Sequence, residues 1–122
     1  MTKPAVVLAF SALTLTLAAC GDKTVTYQSD IKPIIDANCA SCHVPGGPGY
    51  EKSGLRMDTY EGLMKGTKFG AVVIPGSSVS STLYRLVAGE ADPSIRMPHG
   101  KASLPDEQIK KIATWIDQGA QY

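Results

Sequence analysis

Cys39-Ala40-Ser41-Cys42-His43 is an unbroken C-x-x-C-H, and the fold has to be read outward from it. On a helical turn, positions i, i+3 and i+4 share one face, so both thiols and the imidazole project toward the same partner. The spacing is that of covalent haem attachment. Two sulfurs can add to the two vinyl groups along one side of a porphyrin. The imidazole next to the second sulfur then lies beneath the iron as an axial ligand. Two other chemistries use such residues. A structural zinc site wants four ligands, usually two separated pairs, and outside the motif only His99 and Cys20 are of the right kind. A dithiol redox pair wants a strand-helix-strand setting, and no β-branched run precedes Cys39. The expected cofactor is therefore one covalent haem, held by Cys39 and Cys42 with His43 as proximal ligand.

Residues 1–19 read as an export signal: Lys3 gives a positive start, and the uncharged run after it falls short of the roughly 20 residues of a membrane span. The run ends Leu17-Ala18-Ala19-Cys20-Gly21, which resembles the lipobox of bacterial lipoproteins. That resemblance implies cleavage before Cys20 and acyl chains on it, several of which anchor firmly where one does not. It also implies a place in the bacterial cell envelope, on the periplasmic side of a membrane. The three cysteines are thereby allotted, one to lipid and two to haem, leaving none for a disulfide. Residues 20–28 are then the lipidated cysteine and a polar tether, and residues 29–122 a single domain. The formal net charge is +1, or zero once Lys3 is removed, a balance with nothing to offer nucleic acid.

The domain reads as mostly helix, in about four pieces joined by glycine- and proline-rich connections. A first helix is expected from about Ile31 to Cys42, with Asp30 as cap, Pro33 in its first turn and the motif on its last turns. Val44 to Ser53, with Gly46, Gly47, Pro48 and Gly49, reads as a loop able to pass close to a flat cofactor. Asp58 to Lys65 reads as a short helix stopped by Gly66, and Ala71 to Ile74 as a buried extended connector. A helix bearing Leu83, Leu86 and Val87 follows cap candidates in Ser77 to Ser81. The last helix opens on Pro105, Asp106 and Glu107, with Ile109, Ile112, Ala113, Ile116 and Ala120 on its apolar face and Trp115 at the border. This apolar inventory is thin for a free-standing core, so the haem is expected to be part of it.

Met57, Met64, Met97 and His99 are the candidates for the other axial position. Met64 sits on a helix stripe where methionine is commonly filler. Met97 precedes Pro98, which biases it toward extended backbone, and lies 54 residues after His43 on a loop between helices. A thioether there suits electron transfer, because the iron keeps its ligands in both oxidation states. His99, on the same loop, is the competing distal ligand.

These blocks, in this order, resemble small bacterial c-type cytochromes, most closely the planctomycete-type cytochrome c domain. The likeness runs from about Tyr27 to Ala120. It takes in Asp30-Ile31-Lys32-Pro33-Ile34 before the motif and Gly54-Leu55-Arg56-Met57-Asp58 after it. Val73-Ile74-Pro75-Gly76, Arg96-Met97-Pro98 and Trp115-Ile116-Asp117-Gln118-Gly119-Ala120 complete it. The resemblance implies an all-α, cytochrome c-like fold around one haem c, with Met97 as distal ligand. Such domains often sit inside larger proteins, so a chain ending with this unit is expected to use a separate redox protein as donor and acceptor. The expected function is a membrane-anchored electron carrier and not an enzyme. Lys65, Lys68, Lys101, Lys110 and Lys111 are available to steer an acidic partner, or simply to solubilise the surface. A haem-based sensor with a displaceable distal ligand, or a small peroxidase-like protein using His99, are the alternatives.

Overall fold

Tyr27, Ile31, Ile35, Trp115 and Ile116, all 2% exposed or less, are among the buried side chains that join the two ends of the chain in one core. The structure is a computed structural model describing residues 21 and 23–122, so the expected export signal and Cys20 lie outside the described residues. Among those residues there are helices and no strand, the nearest thing being a single bridge between Thr67 and Gly70. The all-α reading is met, with five α-helices in place of about four. A π-helical turn at Tyr27–Ile31 leads into α1 (Lys32–Asn38). Then come α2 (Pro48–Ser53), α3 (Tyr60–Lys65), α4 (Thr82–Val87), a 3-10 turn at Pro93–Ile95, and α5 (Asp106–Asp117).

Local chemistry explains most boundaries. Thr26 caps the π turn by accepting from the Ser29 N–H, while the Asp30 carboxylate reaches back to the Thr26 N–H at 3.1 Å. Asp30, expected as the cap of the first helix, lies instead within the π turn that Thr26 caps. Val25 donates to the Gln118 side chain at 2.8 Å and Tyr27 N–H to the Gln121 carbonyl at 2.9 Å, so the expected tether is drawn into the fold. Thr59 caps α3 by accepting from the Gly62 N–H, and Gly66 ends it at φ 81°. The Ala71–Ile74 connector belongs to no helix or strand and bends at Val72, with Val72 and Val73 buried and Ala71 and Ile74 exposed. Trp115 is not at the border of the buried face of α5 but within it. It is fully buried, donates from Nε1 to the Gln121 carbonyl at 2.8 Å, and stands 6.1 Å from the Tyr27 ring. The C-terminal tail and the π turn wrap that side of the helix, and the periodicity of α5 alone does not contain this.

Candidate functional site

The motif begins where α1 ends. Cys39 is the C-cap residue, and Cys39 to His43 form a separate turn in which Cys42 and His43 N–H groups both donate to the Cys39 carbonyl, at 3.1 and 3.0 Å. The last turns of a helix were expected there. The observed turn keeps the same consequence, because an i to i−4 bond brings His43 over Cys39 on one face. Helix α2 then stands in what reads as loop. Pro48 at its first turn and Gly54 in left-handed conformation at φ 73° are the proline-first, glycine-last signature that would have revealed it.

Cys39, Cys42, His43, Met97 and His99 all line one cleft of about 440 Å³. That volume is within the range of small-molecule and cofactor sites, about 300–1,000 Å³. Met57 lines it as well and is 2% exposed, its N–H donating to the His43 carbonyl at 2.7 Å. Met64 is absent from its wall. Helix α4 contributes Leu83, Leu86 and Val87, and the Met97 N–H is tied to the Leu86 carbonyl at 3.3 Å, which fixes the Met97 loop to that helix. Lys52 on α2 and Lys101 also reach the wall; Lys52 was not singled out in the sequence because α2 was not. Lys110 and Lys111 do not line the cleft.

His43 is the site's most constrained polar group. It is 8% exposed, and its Nδ1 is buried without a hydrogen-bond partner. Burial pushes its pKa below the ordinary 6.5, and although a backbone group of Leu55 pulls the other way, the neutral imidazole is favoured. A cradle of glycines holds the ring. A methyl group on Gly49 would lie 2.8 Å from His43 Cε1 and 2.9 Å from Nε2, and one on Gly47 would lie 2.5 Å from the Cys42 carbonyl oxygen. Burial pushes the Cys39 thiol up to about 11, with Lys101 opposing. A buried, uncharged sulfur suits a thioether. No three His, Cys, Asp or Glu side chains converge as a metal-binding group among the described residues.

An apolar cleft with two thiols and an imidazole of one C-x-x-C-H on its wall, set in a helical fold, has the donor set of a covalently held haem. The residues present fit that group. The sequence profile of the planctomycete cytochrome C family matches residues 39–99, half of the chain, and the chain belongs to that family. Membership implies haem c and a haem-based function. The chain is also 28% identical over 127 residues to hydrazine synthase subunit alpha of Kuenenia stuttgartiensis; the match takes in 82% of this chain and 16% of that protein. No solved structure matches.

Proposed function

We propose that the protein is a monohaem electron carrier in which Cys39 and Cys42 hold the haem by thioethers, His43 and Met97 ligate its iron, and lipid on Cys20 tethers it at the periplasmic face of a membrane. The observation that carries this reading is that His43, buried with an unpartnered Nδ1, shares one apolar cleft with Met97. When bound, the haem supplies a one-electron couple. Burial holds His43 neutral, so a nitrogen lone pair is offered to iron without a competing proton. The aliphatic wall of α4 keeps water from the iron and favours the less charged oxidation state. Met97, fixed through Leu86, supplies the second ligand, and a closed ligand set makes the chain a carrier for a separate redox protein and not a catalyst.

Two spectra test this. A reduced-minus-oxidised spectrum in alkaline pyridine reports haem bound through two thioethers, and its absence from protein matured in a cytochrome c-producing host would sink the proposal. Met97→Ala should then remove the sulfur-to-iron charge-transfer band near the red end of the spectrum. His99 lines the same cleft and supports a second reading, ligation by two histidines. In that case the band is missing from the unaltered protein and the potential is lower. Rapid carbon monoxide binding to the reduced form would favour the sensor alternative over both.

A further inference from the structure

One turn of the surface is built at some cost to present an apolar ring to water. Phe69 is 82% exposed, the most exposed of the large apolar side chains among the described residues. It is not on a loose loop. Thr67 N–H donates to the Gly70 carbonyl at 2.8 Å and Gly70 N–H returns to Thr67 at 3.2 Å. The Thr67 hydroxyl donates to the Gly70 carbonyl at 3.1 Å and accepts from the Phe69 N–H at 3.0 Å. Gly66 lets the turn close on itself, since a methyl group there would lie 2.5 Å from the Gly70 carbonyl oxygen. A single exposed phenylalanine is unremarkable; one fixed by four hydrogen bonds is preorganised for contact.

The turn stands at the rim of the cleft. Thr67 is part of the cleft wall, and Lys68 N–H donates to the carbonyl of Ser53, another wall residue, at 2.9 Å. The Lys68 ammonium lies 5.2 Å from the centre of the Phe69 ring. Lys52 and Lys101 are on the wall itself, which includes no Asp or Glu among the described residues. The shallow groove on the turn's other side adds Lys65 and Lys68 against one acid, Glu61, with Arg56 already paired to Asp58 at 2.6 Å. An apolar anchor with Lys68 against it, next to a cleft whose wall carries Lys52 and Lys101, complements a partner with an apolar patch beside acidic groups. We propose that the Thr67–Gly70 turn, with Phe69 as anchor and Lys52 and Lys68 as steering charges, is the docking site for an acidic redox protein. This rests on the electron-carrier reading.

The test is stopped-flow electron transfer from the reduced holoprotein to an acidic blue-copper protein, in which one electron leaves the haem iron and reduces copper(II) to copper(I), with hexacyanoferrate(III) as a second oxidant. Phe69→Ala should slow transfer to the copper protein about tenfold and leave the small anion's rate unchanged, while Phe69→Leu restores most of it. Lys52→Glu with Lys68→Glu should slow both, by an amount that fades as salt is raised. Unaltered rates to the copper protein in all these variants overturn the docking site while the carrier reading stands. Transfer to neither oxidant overturns both. If Phe69→Ala instead abolishes binding to phosphatidylglycerol vesicles, or self-association in sedimentation, with electron transfer unchanged, the turn serves a membrane or a second copy and the proposal falls.

Discussion

At the scale of single residues, the site depends as much on an absent methyl as on any ligand. Gly49→Ala would drive a carbon to within 3 Å of the His43 ring, with the Cys42 carbonyl 3.0 Å away blocking retreat. Overpacking of this kind costs about 1–3 kcal/mol. The expected result for the holoprotein is a lower urea midpoint and a shifted reduction potential, and an unchanged pair of values would show that the ring has room to move. Cys39, Cys42 and His43 were legible because their chemistry is contiguous in the chain. Lys52 was not singled out for the site, and Gly49 was read only as part of a loop, because their place on the cleft depends on how α2 folds back over the motif.

At the scale of elements, α4 is held from a distance. The Asp117 carboxylate, at the end of α5, accepts from the Ser78 N–H at 2.7 Å and from its hydroxyl at 3.1 Å. The Ser81 hydroxyl accepts from the Ile74 N–H at 2.8 Å and donates to the Ser77 carbonyl at 2.8 Å. These bonds pin the segment before α4, and α4 is the wall to which the Met97 loop is tied. Asp117→Ala should cost about 1–3 kcal/mol, since it leaves the Ser78 amide without its acceptor. Thermal unfolding of the holoprotein would register this as a clear drop in midpoint, and an unchanged midpoint would show that the Ser78 amide finds another acceptor. Helices α3 and α5 were readable from caps and period. Helix α2 was hidden because four closely spaced glycines and prolines outweigh six helical residues when read one by one, and Trp115 was misplaced because tertiary wrapping decides which side of α5 is covered.

For the whole molecule, core and cleft share their side chains. Leu55, Met57, Val72, Leu83 and Val87 count among the buried residues and also form the cleft wall, so whatever fills the cleft completes the core. Haem-free chain, made by replacing Cys39 and Cys42 with Ala, should show no cooperative melt and should bind a hydrophobic dye, as small domains do when a cofactor supplies part of their folding energy. A sharp, dye-free transition would count against this. How the ends meet carries a different implication. Lys23 to Tyr27 are hydrogen-bonded to Gln118 and Gln121, so the polypeptide enters and leaves the folded unit at one spot. A unit closed in this way is portable: spliced into an exposed loop of an unrelated host, it needs only one point of attachment and leaves the host's own path undisturbed.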